Sequence, residues 1–380
     1  MRDAAGVAVL VVATFDPGMP VLGIWWAGGV LLTIAASHAV AHAPPRPPGR
    51  DQPEQGGDTP PPCSVAPRAL QYGVHVSRTP LALAALSTAA VPGLDARSVR
   101  VGDLAGDYDV AVVTGEDDQE WVVRAPRTTV AGAALEAEIE LLDALRLYID
   151  TGVLPFVVPQ VAGYALLPEG GRAVVHRRII GSTLDVEALE PGPGLAADLG
   201  RAIAAIHELP TSVVETCGLP SYTASEYRER RLTEVDEAAK TGRVPPTLLR
   251  RWETALEDVS LWKFRPVVAH GDLAPDQLLV DRQRVVAVSG WSEARVADPA
   301  DDLAWLIAAA PMEAVDSIME AYQLRRTELS DPRLAERAML VGELALARWL
   351  LHGVRHRLPE VVEDATSMLE DLDEATLDQG

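Results

Sequence analysis

The chain has 380 residues, of which 48% are apolar, so it is long enough for one large or two ordinary domains with a sizeable core. Its formal net charge of −22 argues against a nucleic-acid-binding protein, which needs a basic face to neutralise phosphates. Two cysteines cannot form a disulfide framework or a four-cysteine zinc site, and they fit a reducing, cytoplasmic compartment. An acidic protein would favour a cationic small molecule as its partner.

Residues 1–43 contain an apolar stretch from Met19 to Ala36, which approaches the roughly 20 residues of a membrane-spanning helix. Residues 44–75 are rich in proline and predict an extended linker without a core of its own. Two interpretations stay open for this part. It is either a single membrane anchor, with the arginines of the linker holding the following domain in the cytoplasm, or a spurious extension from a misassigned start codon.

Residues 76–181, called the N-lobe, are predicted to be small and rich in strands. The apolar runs Val110–Val113 and Trp121–Val123 flank a polar turn and predict a hairpin. Apolar residues at helical spacing predict a helix over 131–149, and residues 173–179 predict another strand.

Residues 182–380, called the C-lobe, are predicted to be mainly helical. Leu195, Leu199, Ile203 and Ile206 form one apolar stripe, and long amphipathic stretches run from Pro299 to the end of the chain. The two lobes together predict an α+β fold. Trp349, His352 and His356 share one helix face, which would either line an acceptor pocket or belong to a packed or solvated surface.

The strongest motif is His270-Gly271-Asp272-Leu273, which lies between two apolar strand candidates. Phosphoryl transfer needs a carboxylate near the acceptor hydroxyl, a cation on the phosphates and ligands for a metal. Asp272 is therefore predicted to be the catalytic residue that holds the hydroxyl and takes its proton. Gln277, five residues later, is a candidate metal ligand.

The HGDL motif and the later segment WSEARVADPADDLAWL resemble the aminoglycoside phosphotransferase family, and most of all its macrolide 2'-phosphotransferases. The resemblance covers about residues 78–372. It implies a protein-kinase-like two-lobe fold and an enzyme that moves the γ-phosphate of GTP or ATP, with Mg²⁺, to a hydroxyl of a small molecule. A macrolide antibiotic would be the acceptor, and the host would become resistant.

The resemblance also implies roles for individual residues of the N-lobe. Arg124 would contact the nucleotide phosphates and Glu138 would pair with it. Gly106 would lie in the loop that covers the phosphates. The strand at 174–179 would border the purine, and Asp298 and Asp302 would have structural roles.

Two departures from the family pattern concern the metal. Gln277 stands where the family has Asn or His, and Gly290 stands where the family has the aspartate that anchors magnesium. Glu293 is the candidate that would replace this aspartate. Two further interpretations therefore stay open: a pseudokinase that binds nucleotide or ligand with little catalysis, and a kinase for an endogenous metabolite.

Overall fold

The computed structural model describes residues 10–15, 19–24, 78–102, 107–327 and 331–377. Strands β1 (Leu10–Phe15) and β2 (Met19–Ile24) pair antiparallel with each other. The predicted apolar span therefore begins as a strand, whereas its remainder and the proline-rich linker lie outside the described residues. Over the part of the chain that is described, no helix has the length and apolar character needed to cross a membrane.

The N-lobe is built on a five-stranded antiparallel sheet with strand order β3-β4-β5-β7-β6. Its elements are α1 (Pro80–Ala90), β3 (Ala96–Val101), β4 (Tyr108–Gly115), β5 (Glu120–Pro126), α2 (Thr129–Asp150), β6 (Val161–Leu166) and β7 (Arg172–Arg177). The predicted hairpin is β4–β5, the predicted helix is α2 and the predicted strand is β7. Sequence analysis missed α1, β3 and β6.

Alternation along the strands divides the sheet into two buried faces, because successive side chains point to opposite sides. Val175 packs with Leu83 of α1 on one face, whereas Val174 packs with Leu135 and Ile139 of α2 on the other. Strand register places Arg124 opposite Val174, so that Arg124 faces α2. The sheet therefore directs a charged side chain toward the helix that the sequence analysis proposed as its partner.

Helices make up most of the C-lobe, in agreement with the predicted α+β division. They are α3 (Leu195–His207), α4 (Ser212–Glu215), α5 (Ala224–Ala239), α6 (Pro246–Glu257), α7 (Ala300–Ala309), α8 (Met312–Arg325), α9 (Leu334–His356) and α10 (Pro359–Leu377). Leu199, Ile203 and Ile206 of the predicted stripe are fully buried in the main core. This core extends into α2 and so joins the two lobes.

Short strands between α6 and α7 hold the candidate catalytic loops. They are β9 (Val267–Ala269), β10 (Leu278–Asp281), β11 (Arg284–Val288) and β12 (Arg295–Ala297); β10 also pairs with β8 (Ser182–Thr183). Single 3₁₀ turns cover Pro275–Gln277 and Trp291–Glu293. Because β9 pairs antiparallel with β12, the loop after Ala269 and the turn before Arg295 lie side by side.

A buried ion pair anchors α9 to the segment that follows β12. The Arg337 guanidinium donates to both carboxylate oxygens of Asp298, at 2.7 and 3.1 Å, and neither side chain is exposed to solvent. It also donates to the Leu261 carbonyl at 3.1 Å and to Asp331 at 2.6 Å. Removing the arginine would leave Asp298 as an uncompensated buried charge.

We expect Arg337→Leu to lower the free energy of unfolding by about 3–5 kcal/mol, the cost of breaking a buried pair. Arg333, four residues earlier, is the matched control because its carboxylate partners Asp258 and Glu336 are substantially exposed. Arg333→Leu should change stability by about 1 kcal/mol or less. Denaturant titration of both variants checks this expectation, and equal losses would contradict it.

Candidate active site

Arg124 and Glu138 form a bidentate ion pair between β5 and α2. The two guanidinium nitrogens donate to the two carboxylate oxygens at 2.9 and 3.1 Å. Glu138 is 1% exposed, whereas Arg124 keeps 16% of its side chain accessible. The predicted pairing is therefore present, and the accessible edge of Arg124 remains available to a ligand. Contact with phosphate remains a prediction.

Tyr108 holds Arg124 from the other side. The guanidinium carbon of Arg124 lies 4.7 Å from the centre of the Tyr108 ring, in a cation–π arrangement. The Tyr108 hydroxyl donates to the Ala131 carbonyl at 3.0 Å, and burial raises the pKa of Tyr108 to about 12. Sequence analysis did not single out Tyr108, and Gly106, two residues earlier, lies outside the described residues.

The HGDL loop is held from beneath by the buried Asp302 of α7. One carboxylate oxygen accepts the backbone N–H of His270 at 2.7 Å, and the other accepts the backbone N–H of Gly271 at 2.8 Å. The His207 ring, at the end of α3, lies 3.1 Å from the first oxygen. Burial would raise the pKa of Asp302, but the interaction with His207 and the hydrogen bond from the Gly271 N–H outweigh it and hold the pKa below its ordinary value.

His270 holds the loop backbone through both ring nitrogens. Burial lowers the pKa of its imidazole, which is completely enclosed, so the ring is neutral. Its Nε2 lies 2.7 Å from the Ser289 carbonyl, which can only accept, so Nε2 carries the proton. Nδ1 then accepts the backbone N–H of Asp272 at 3.4 Å. The ring thus connects the HGDL loop to the end of β11.

Arg295 closes the other side of the loop. It donates to the Gly271 carbonyl at 3.0 Å, to the Glu293 carbonyl at 3.0 Å and to the Asp301 carboxylate at 2.8 Å. Gly271 has a φ of +84°, and a Cβ there would lie 2.3 Å from the Glu293 carbonyl oxygen. Only glycine therefore permits this close approach.

Asp301 is a buried charge centre behind the loop. It accepts from Arg295 and from Arg231, the latter at 2.9 Å, and the Tyr227 hydroxyl also donates to it. Burial would raise its pKa, but the two arginines hold it far below the ordinary range. Asp301 therefore remains ionised and fixes the orientation of Arg295.

Asp272 is the exposed acid of this loop, in a crowded and negatively charged environment. Loss of hydration among the surrounding protein atoms, followed by the charges of Glu293 and Asp276, raises the pKa of Asp272 from 3.8 to about 6. A carboxylate with such a pKa is a stronger base than an ordinary aspartate and is still ionised at neutral pH. This is the property expected of a residue that accepts a proton from a hydroxyl.

Gln277 and Gly290 are in direct contact. Gly290 has a φ of +78°, and an ideal Cβ there would lie 2.2 Å from Gln277 Oε1 and 2.6 Å from Gln277 Cδ. The Ser289 hydroxyl donates to Gln277 Oε1 at 3.2 Å, and the Ser289 backbone N–H donates to the Gln277 carbonyl at 2.9 Å. The Gln277 amide thus fills the place that a side chain at position 290 would take.

The residues present do not fit the magnesium site that the family resemblance implies. Gly290 contributes no side-chain oxygen, and the Gln277 amide occupies the space of one. Among the described residues, no group of three or more His, Cys, Asp or Glu side chains surrounds a point where a metal ion could bind. The roles of Gln277 and Glu293 as ligands remain predictions.

Three rings form a row on α9. The Trp349 and His352 rings are stacked, with centroids 5.4 Å apart and planes 6° apart, and the His356 ring lies 4.4 Å from His352. Desolvation and the charge of His356 lower the pKa of His352, whereas Asp107 of the N-lobe raises it. The row therefore lies near the strand that carries Tyr108, and a role in acceptor binding remains a prediction.

Residues 100–339 match the family model described as "Phosphotransferase enzyme family", which is more than half of the chain. The chain belongs to this family. The match includes every candidate site residue from Gly106 to Glu293, and it confirms the family that the HGDL segment indicated.

Solved structures of phosphotransferases share the fold of this family member. The apoenzyme of macrolide 2'-phosphotransferase MphH from Brachybacterium faecium is 24% identical, with a TM-score of 0.62 over 73% of this chain and 93% of that one. A macrolide 2'-phosphotransferase type I is 27% identical, with a TM-score of 0.62 over 73% and 92% of the two chains. The GDP and kanamycin complex of APH(2")-IIia is 20% identical, with a TM-score of 0.64 over 78% and 99%.

Sequence analysis missed the residues that support the loop, namely His207, Arg295 and Asp301. A signal was present for His207, because a histidine at the end of an otherwise apolar helical stripe must find a polar partner once it is buried. Arg295 and Asp301 lie within a segment already quoted for its likeness. Their contacts depend on how that segment folds back under the HGDL loop.

The raised pKa predicts how stability responds to removing the Asp272 charge. The folded protein holds the Asp272 proton more tightly than the unfolded chain between pH 3.8 and about 6, so this group destabilises the fold as pH rises through that window. Asp272→Asn should therefore stabilise the protein at about pH 8 by less than about 1 kcal/mol, since the exposed charge is screened. The gain should shrink at about pH 5.

Thermal unfolding at both pH values measures this effect, with Asp281→Asn as the control. Asp281 lies at the exposed end of β10, where its side chain is 63% accessible. Asp281→Asn should not stabilise the protein with the same pH dependence. A loss of stability in Asp272→Asn at about pH 8 would contradict the expectation.

Proposed function

We propose that this phosphotransferase moves the γ-phosphate of GTP or ATP to a hydroxyl of a small molecule, the 2'-hydroxyl of a macrolide antibiotic. It would do so in the cytoplasm and make its host resistant. The observation that carries the proposal is the Asp272 loop, which is held rigidly by Asp302 and faces solvent with an ionised acid of raised pKa.

In the proposed reaction, the Asp272 carboxylate accepts a hydrogen bond from the acceptor hydroxyl and takes its proton. The hydroxyl oxygen forms a bond to the γ-phosphorus, and the bond from that phosphorus to the β,γ-bridging oxygen breaks. The electron pair of the broken bond leaves with the nucleoside diphosphate. Arg124, fixed by Glu138 and Tyr108, would contact the phosphates with its accessible edge.

Support for a macrolide acceptor comes from the two macrolide 2'-phosphotransferases of the same fold and from the WSEAR segment that begins at Trp291. Support for a nucleotide donor comes from the GDP complex of the same fold. The acidic protein and the negative surroundings of Asp272 would favour an acceptor that carries an amine, as macrolides and aminoglycosides do.

A coupled assay of nucleoside diphosphate release tests the activity with GTP and ATP as donors. We expect turnover with erythromycin or azithromycin above that with kanamycin, and a rate about 10²–10⁴-fold lower in Asp272→Asn, the usual worth of a positioned base. Asp281→Asn is the control with the same change of charge. The macrolide assignment is wrong if no acceptor is turned over and expression confers no resistance.

A second candidate function is favoured by Gly290, which contributes no ligand for a metal. In that case the chain is a pseudokinase that binds GTP or ATP with little transfer. Thermal shift with each nucleotide, with and without magnesium, detects binding independently of turnover. Nucleotide binding without release of product from any acceptor would favour the pseudokinase, whereas macrolide turnover would exclude it.

A further inference from the structure

We propose that Gln277 and Gly290 form one unit, in which the Gln277 amide replaces the side chain absent at position 290 and leaves no carboxylate there for a cation. A cation on the nucleotide would then arrive and leave with the phosphates, without direct coordination by this unit. This inference rests on the proposed binding of nucleotide.

The first support is steric. Gln277 Oε1 lies 2.2 Å from the ideal Cβ position of residue 290, a distance that real Cβ atoms do not show. The contact is with the end of a flexible side chain, so an aspartate at 290 would require the amide to move away. The two positions therefore cannot be changed independently.

The second support is that the amide is held in this position. The Ser289 hydroxyl donates to Oε1, and backbone hydrogen bonds fix both ends of the contact, from Ser289 N–H to the Gln277 carbonyl and from Gln277 N–H to the Ala274 carbonyl at 3.0 Å. Gln277 is half-buried. An aspartate introduced at position 290 must compete with these interactions.

The third support is that the backbone alone does not forbid an aspartate. The φ of +78° at Gly290 is left-handed, where aspartate and asparagine are enriched several-fold among the non-glycine residues. An aspartate could therefore adopt this conformation at a modest cost. The space that Gln277 occupies adds a second cost to that of the backbone.

The carboxylates around Asp272 determine how a cation bound to the nucleotide could act. Asp272, Asp276 and Glu293 face the same region, where Glu293 and Asp276 raise the pKa of Asp272. A triphosphate entering this region is repelled, and a cation bound to it relieves the repulsion by charge alone. Screening of this kind does not require a vacant coordination position on the cation. Coordination by a protein oxygen does require one.

Hexamminecobalt(III) separates the two effects because its six ammonia ligands exchange too slowly for a protein oxygen to replace them. Because it carries a charge of +3, we expect hexamminecobalt(III) to strengthen ATP or GTP binding to the native chain at least as much as Mg²⁺ does, as measured by calorimetry. The double variant Gly290→Asp with Gln277→Asn removes the overlap and supplies a carboxylate. It should prefer Mg²⁺ by at least about tenfold.

The single variants test the coupling between the two positions. Gly290→Asp should unfold at a lower temperature than Gly152→Asp, because Gly152 has a similar φ of +73° but nothing within 4 Å of its ideal Cβ. Adding Gln277→Asn should remove this excess loss and leave only the backbone cost that Gly152→Asp reports.

Three outcomes would overturn the inference. A clear preference of the native chain for Mg²⁺ would overturn it alone and leave the proposed nucleotide binding intact. A full gain of Mg²⁺ preference in Gly290→Asp, without a change at Gln277, would show that the two positions are not coupled. No binding of ATP or GTP to any variant with either ion would overturn the proposed function and this inference together.

Discussion

The candidate site depends on one buried carboxylate. Asp302 accepts two consecutive backbone N–H groups of the HGDL loop and lies against His207, and it has no exposure to solvent. An unpaired carboxylate at such a depth would be very costly, so the loop is held where it satisfies the charge. Asp272 itself can then be exposed and unpaired while its backbone is fixed.

Around this carboxylate the charges are arranged in two layers. Behind the loop, Asp301 is neutralised by Arg231 and Arg295, and Arg295 also donates to the Gly271 carbonyl. In front of the loop, the carboxylates of Asp272 and Glu293 face a common region. The rear layer holds the loop in place. In front of it, loss of hydration, followed by the like charges of Glu293 and Asp276, raises the pKa of Asp272.

The sequence indicated those parts of the site that local motifs mark. The family resemblance carried by the HGDL and WSEAR segments implied the pairing of Arg124 with Glu138, which the structure contains. The HGDL motif pointed to Asp272, whose catalytic role stays a prediction. His207 could not be paired with Asp302, 95 residues away, because that contact depends on how α3 packs against α7. The contact between Gln277 and Gly290 could not be predicted either, since it depends on the direction of one flexible side chain.

The same negative surroundings that strengthen Asp272 as a base also oppose the binding of a triphosphate. A kinase with an aspartate at position 290 would add one more negative charge here and would need a coordinated ion to offset it. Glycine at position 290 removes that charge. The neutral Gln277 amide fills the space of the missing side chain without restoring a negative charge. The absence of the aspartate and the presence of the glutamine are therefore one change in the electrostatics of the phosphate region. With nucleotide bound as proposed, this change would weaken the hold on a metal and at the same time reduce the repulsion that the metal has to overcome.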